Sequence, residues 1–300
     1  MIDAVLSDTL SQHISAESNK NFTLDEHQAI GGGSINDCYK ISGNGKHYFL
    51  KTNNADLADM FAAEASGLHA IVDSNTILAP KPICYGETDT TTYLILEYLE
   101  LGTSRKQNDQ DNIDQFGEQL ATMHRNVQTR YGWKRNNTIG STPQINTHCD
   151  NWSEFFREHR LGYQINLASE NGHHGQFIDK AHELLEYVDQ LLYHNPPASL
   201  LHGDLWSGNY GITSNGLPAI FDPAVYYGDS ETDMAMTELF GNFPPRFYDA
   251  YWHHHPKEAE YSVRKTLYNL YHILNHLNLF GDGYYSQADH MMSALLSEVR

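Results

Sequence analysis

No stretch of this sequence is both apolar and long enough to span a membrane, which takes roughly 18 to 20 residues with few or no charges. Basic residues are scarce: 19 Lys and Arg stand against 38 Asp and Glu, giving a formal net charge of -19. That balance repels nucleic acid and anionic lipid, and no local basic patch reverses it. Cysteine is nearly absent. Cys38, Cys84 and Cys149 are an odd number and far apart, which excludes a disulfide framework and a Cys-x-x-Cys metal knuckle and leaves free thiols. The opening MIDAVLSDTLSQHI carries acids where a secretory signal needs basic residues, so a cytoplasmic protein is expected. Internal repeats and low-complexity tracts are missing as well.

What is present is enough apolar side chain, 40% of 300 residues with 12% aromatic, to bury a large core in one domain or two packed lobes. Histidine is abundant, at 18. Two groupings resemble metal ligands: His253, His254 and His255 ahead of Pro256, and His272 with His276 on one helix face. No glutamate sits between His272 and His276 as a zinc-protease helix requires, and the triple run falls where a loop or helix start is expected. Solvated or hydrogen-bonded histidines are the simpler reading.

The first third reads as strands with one helix among them. His27 to Ile30 and Asp37 to Ile41 flank a glycine turn, and His47 to Lys51 follow Gly43-Asn44-Gly45, a strong hairpin signal. Leu57, Met60, Phe61, Leu68 and Ile71 recur at helical spacing between Asp56 and Val72, Pro80 and Pro82 break that run, and Tyr93 to Leu96 is a clear strand. The polar stretch from Gly102 to Asp111 suits a hinge or crossover. Beyond it Ile113, Phe116, Leu120 and Met123, with Ala121 and Val127, mark a helix, and Leu267, Leu270, Tyr271, Leu274 and Leu277 mark another that Gly281 stops. The expected fold class is α+β, with an antiparallel sheet and one main helix in residues 1–100 and a mostly helical part in 101–300.

The most informative segment is Leu200-Leu201-His202-Gly203-Asp204-Leu205-Trp206-Ser207-Gly208-Asn209, followed thirteen positions later by Asp222 in Ile220-Phe221-Asp222-Pro223. Phosphoryl transfer to an alcohol needs a carboxylate to orient and deprotonate the hydroxyl, plus a carboxamide and a second carboxylate to hold Mg²⁺ on the triphosphate. This segment supplies all three. Apolar residues run up to each motif, as short buried strands delivering polar tips to a cleft would require. Taken alone, an Asp followed five residues later by Asn also describes a turn or helix cap.

HGDLWSGN resembles the catalytic loop of the protein-kinase-like superfamily in its aminoglycoside and choline phosphotransferase branch. The resemblance implies Asp204 as catalytic base, Asn209 and Asp222 as Mg²⁺ ligands, Lys51 on the α- and β-phosphates of ATP, and Glu64 as the helix carboxylate that holds Lys51. Pro223 departs from the glycine of the protein-kinase metal motif, which argues against a flipping activation loop. Gly31-Gly32-Gly33-Ser34-Ile35-Asn36 occupies the place of the nucleotide-covering loop, with phosphate contacts implied for Gly32, Gly33 and Ser34; a simple tight turn is the alternative. Glu97-Tyr98-Leu99 matches the hinge whose backbone pairs with adenine, so Glu97 and Leu99 are placed at the nucleotide.

Tyr131-Gly132-Trp133, Ile139 to Gln144 with Asn146, Trp152 to Phe156 leading to Arg160-Leu161, and Asp222 to Asp229 narrow the resemblance to the fructosamine (ketosamine) kinases over nearly the whole chain. That family implies a bilobal kinase-like fold and transfer of the ATP γ-phosphoryl group to the 3-hydroxyl of a ketosamine, a step in deglycation. Trp206 is the candidate for stacking on the sugar or its cationic amine, against a purely packing role. Asp233 and His202 are implied to brace the catalytic loop, and Asp229 either caps a helix or reaches the substrate. The alternatives are a kinase of another small alcohol (aminoglycoside, choline or homoserine), a nucleotide-binding pseudokinase, and a histidine-based metal hydrolase.

Overall fold

The computed structural model describes residues 2–31, 35–102 and 110–300. Five antiparallel strands form the sheet of the first third: β1 (Glu26–Ile30), β2 (Asp37–Gly43), β3 (Lys46–Asn54), β4 (Pro82–Glu87) and β5 (Thr91–Glu97), in the order β1-β2-β3-β5-β4. Asn44 and Gly45 turn β2 into β3 with φ of 50° and 73°, the left-handed pair that matches the twist of a two-residue hairpin.

Strand alternation sorts the sheet's two faces. On the outer face Tyr48, Leu50, Tyr93 and Ile95 pack against Leu6, Leu10 and Ile14 of α1 (Ala4–Ser18). Phe49, Leu94 and Leu96 face the other way, toward α2 (Ala58–Ser74) and the body of the molecule. Lys51 shares that inner face with Phe49 and is thereby aimed at the cleft. Helix α1 is an addition to the single helix expected in this region. Its sequence signals are Asp3, whose Oδ1 accepts from Leu6 N–H at 2.8 Å, and a narrow stripe at Leu6, Leu10 and Ile14.

The remaining α-helices among the described residues are α3 (Gln110–His124), α4 (Trp152–Phe156), α5 (Tyr163–Glu170), α6 (Gln176–Glu186), α7 (Val188–Leu191), α8 (Glu231–Thr237), α9 (Pro245–His254), α10 (Tyr261–Phe280) and α11 (Tyr285–Val299), with a π-helical turn at Arg157–Gly162 joining α4 to α5. Among them run short strands: β6 (Val127–Gln128), β9 (Ala198–Leu201) and β12 (Tyr226–Gly228) in one sheet, and the hairpins β7 (Asn137–Ile139) with β8 (Thr142–Gln144) and β10 (Tyr210–Ile212) with β11 (Pro218–Ile220).

Two expectations need correction. Val127 does not continue α3; that helix ends at His124, and Val127 pairs instead with Ser199 of β9. His253 and His254 close α9 rather than opening a loop, and the helix stops before Pro256, which cannot sit in a helix interior. The stop at Gly281 holds: φ there is 84°, and its N–H bonds Leu277 O. A continuous core runs from Met60, Phe61 and Leu96 through Phe116, Leu120 and Leu201 to Leu270 and Leu274. No helix among the described residues is long and apolar enough to cross a membrane.

Candidate active site

Strand β9 is buried at all four positions, and the chain leaves it as His202-Gly203-Asp204. Asp233, in the first turns of α8, holds this exit: Oδ2 accepts from His202 N–H at 2.7 Å and Oδ1 from Gly203 N–H at 2.8 Å. Burial alone would raise the Asp233 carboxyl, but the His124 imidazole, 3.1 Å from Oδ2, together with His202 and the Gly203 N–H holds it below the usual range. Gly203 has φ of 83°, and a Cβ there would lie 2.2 Å from Ala224 O, so both backbone angle and space demand glycine.

His202 is fully buried and neutral, because burial lowers its affinity for a proton. Its Nε2–H donates to Phe221 O at 3.0 Å and its Nδ1 accepts from Asp204 N–H at 3.2 Å. One ring thus ties the residue before Asp222 to the backbone of Asp204. Both ring nitrogens are thereby engaged by backbone groups.

Asp204 lies at the cleft floor with Asp222, Asn209, Lys51 and Glu64. Desolvation, and then the nearby Asp222 charge, push its carboxyl up to about 7. The Asn209 amide donates through Nδ2 to Asp204 O at 2.9 Å and Asp204 Oδ2 at 3.2 Å, which leaves Oδ1 as that side chain's acceptor. Lys51 Nζ donates to Glu64 Oε1 and to Asp222 Oδ1, each at 2.6 Å. Burial opposes the lysine charge, but those two carboxylates outweigh it and keep the ammonium protonated; burial also raises the Glu64 carboxyl, with Lys51 pulling the other way. Asp222 sits at φ of 59°, a left-handed conformation that aspartate tolerates better than most residues. Asn209 Oδ1 and Asp222 Oδ2 form an all-oxygen donor pair, the chemistry a hard divalent cation such as Mg²⁺ prefers.

Beside this floor an apolar recess is lined by Ile30, Phe49, Pro80, Leu96, Leu99 and Phe221, with Glu97 at its edge. It suits a flat heteroaromatic ring. Glu97 pairs in β5, its N–H bonding Lys81 O at 2.9 Å. Trp206 stands at the boundary of the recess and the floor, 38% exposed, so it is not core packing.

Fold and site have counterparts among known proteins. The model of the family described as fructosamine kinase matches residues 6–298. The chain belongs to the fructosamine kinase family. Within reach of that family lies a Synechocystis relative named a probable ketoamine kinase, 46% identical over 96% of both chains. The Arabidopsis thaliana protein-ribulosamine 3-kinase, chloroplastic, is 43% identical over 87% of this chain and 79% of its own. A Haemophilus somnus protein, solved as a candidate fructosamine-3-kinase, superposes with a TM-score of 0.87 at 29% identity over 96% of each chain. The aminoglycoside phosphotransferase APH(4)-Ia, solved with ADP and hygromycin B, shares the fold alone, with a TM-score of 0.65 at 15% identity over 96% of this chain and 98% of its own.

Of the residues singled out by sequence, Lys51, Glu64, Asp204, Asn209, Asp222 and Trp206 converge on one cleft. Gly32, Gly33 and Ser34 lie outside the described residues. Asp229 is not brought to the cleft: it is buried, Oδ1 accepts from Glu231 N–H at 3.0 Å, and Oδ2 accepts from Tyr268 O–H at 2.6 Å and lies 2.7 Å from His194 Nε2. Those partners hold its carboxyl low against the burial that would raise it. The His272 and His276 pair serves α10 itself, His276 Nδ1–H donating to His272 O at 2.8 Å. Sequence reasoning did not place Asn137, Thr138 and Gly140 of the β7–β8 hairpin at the cleft, although they form part of its wall.

Proposed function

We propose that this protein transfers the γ-phosphoryl group of ATP to the 3-hydroxyl of a ketosamine, the adduct of a sugar with an amine. The observation that carries this reading is the convergence in one cleft of the Asp204 carboxyl, the oxygen-bearing side chains of Asn209 and Asp222, and the Lys51–Glu64 ion pair. Family membership supports the same reaction, and it gives no support to an aminoglycoside, choline or homoserine substrate. A pseudokinase is disfavoured because every polar group the chemistry needs is present and converging.

In the proposed reaction the substrate hydroxyl oxygen forms a bond to Pγ as the bond from Pγ to the ADP oxygen breaks, and the hydroxyl proton passes to an Asp204 carboxylate oxygen. Lys51, released in part from Asp222, meets phosphate oxygens while Glu64 keeps its ammonium in place. Asn209 and Asp222 would hold Mg²⁺, which supplies charge neutralisation on the phosphates. Most of the acceleration then comes from alignment and from charges fixed in advance. The indole of Trp206 offers a face to the sugar or its ammonium. We further assign the boundary between the nucleotide half and the acceptor half to the neighbourhood of residue 100, after β5.

The test is ATP consumption with Mg²⁺ and ribulosyl-lysine or fructosyl-lysine, followed by phosphorus NMR of the product. A sugar 3-phosphate is expected. Phosphate on another position, or turnover only with aminoglycosides or choline, would sink the assignment.

A further inference from the structure

Asn137, Thr138 and Gly140 of the β7–β8 hairpin line the cleft floor and not the apolar recess, and the hairpin is tied by side-chain amides to the segment that follows Asp222. Asn137 Nδ2–H donates to Val225 O at 2.9 Å, three residues beyond Asp222. The same side chain's Oδ1 accepts from Gln144 Nε2–H at 2.8 Å and from Asn146 Nδ2–H at 2.7 Å. Gln144 in turn donates to Ala224 O at 3.1 Å and accepts from Tyr271 O–H at 2.8 Å. Two successive carbonyls of the segment that follows Asp222 are therefore held by carboxamides of the hairpin.

Behind them stands Arg160, fully buried, with no carboxylate at ion-pairing distance among the described residues. Its guanidinium donates to Asn146 Oδ1 at 2.8 Å and to Ile145 O at 2.7 Å, and it lies 4.0 Å from the ring centroid of Tyr226. A buried cation whose contacts are neutral oxygens and ring faces, with its Nε unpaired among the described residues, is expensive, and here it fixes one amide, which fixes the next. Only a carboxamide serves at position 137, because it must donate at one end and accept twice at the other.

We propose that Asn137, backed by Gln144, Asn146 and Arg160, is a positioning residue that keeps the cleft-wall hairpin in register with the Asp222 segment, so that acceptor and nucleotide are aligned through one amide side chain. The proposal rests on the reading of Asp222 as a metal ligand. It separates from a structural role by its kinetic signature. Loss of a stabilising contact alone lowers the melting temperature or the active fraction and leaves the constants of the surviving enzyme unchanged. Loss of register shifts the acceptor KM and the Mg²⁺ half-saturation together.

The experiment compares wild type with Asn137→Ala, Asn137→Asp and Gln144→Leu for acceptor KM, Mg²⁺ half-saturation, kcat and melting temperature. Both constants should rise by at least about fivefold in Asn137→Ala, the effect of losing even one of the three hydrogen bonds that side chain makes, and further in Asn137→Asp, whose carboxylate would face Val225 O. Should the Asn137 variants not fold, Gln144→Leu is read by the same constants and decides. Variants with unchanged constants and only a lower melting temperature overturn the proposal. A wild type that binds ATP without Mg²⁺ dependence overturns the Asp222 reading itself, a result distinct from variants that match a Mg²⁺-dependent wild type.

Discussion

Asp204 shows how a single side chain joins stability to chemistry. Its carboxyl is raised to about 7 by desolvation and by Asp222, so the folded protein holds a proton that the unfolded chain would release near pH 4. Between those values the folded state binds more protons than the unfolded, and the penalty of ionising Asp204 in place grows as pH rises, reaching its full size above about 7. Asp204→Asn should therefore melt higher than wild type at pH 8, by about 2 °C or more, with the gap closing as pH falls toward 4, while turnover is abolished and ATP binding persists. Calorimetry across pH and a turnover assay check both halves; near-native turnover in the variant would remove Asp204 as the base. In wild type, turnover should fall as pH drops through 7, because the base must be ionised.

At the scale of elements, α2 is set by its contact with the segment after Asp222. Gly67 lies mid-helix, where glycine weakens the helix by roughly 0.5 to 1 kcal/mol relative to alanine, yet a Cβ there would come within 3.0 Å of Val225 Cγ2. That close approach lets α2 present Glu64 to Lys51. Gly67→Val should cost about 1 to 3 kcal/mol through overpacking and raise the KM for ATP more than that for the acceptor, measured by denaturant titration and steady-state kinetics. The ion pair from Arg135 to Asp59 of the same helix is solvated at its carboxylate and contributes little.

Elements also explain what was legible in the sequence. Leu200-Leu201 ahead of His202 and Ala219-Ile220 ahead of Phe221-Asp222 announced buried strands with polar tips because period and burial agree there. Helix α1 was missed because its stripe at Leu6, Leu10 and Ile14 is one residue wide per turn, and Val5 faces outward. The amide network could not be read at all. Asn137 and Val225 are 88 residues apart, and no local pattern marks a side chain whose partner is a distant carbonyl.

Across the whole molecule the charge of -19 has a kinetic consequence. A ketosamine bearing an ammonium is drawn toward such a surface, whereas ATP is repelled except near Lys51. Raising ionic strength from 50 to 500 mM should lower kcat/KM for a lysine-derived acceptor while leaving a neutral acceptor analogue little changed. Equal salt responses for the two acceptors would show that the global field plays no part.

The core that runs unbroken from Met60 and Phe61 to Leu270 and Leu274 bears on how this architecture can change over time. Side chains from the sheet half and the helical half interdigitate, so each has been shaped by its neighbour's volume. With the boundary proposed near residue 100, a chimera grafting the first hundred residues of one relative onto the remainder of another should inherit mismatched packing, so that substitutions in cleft-wall segments are expected to be the less disruptive route to new specificities.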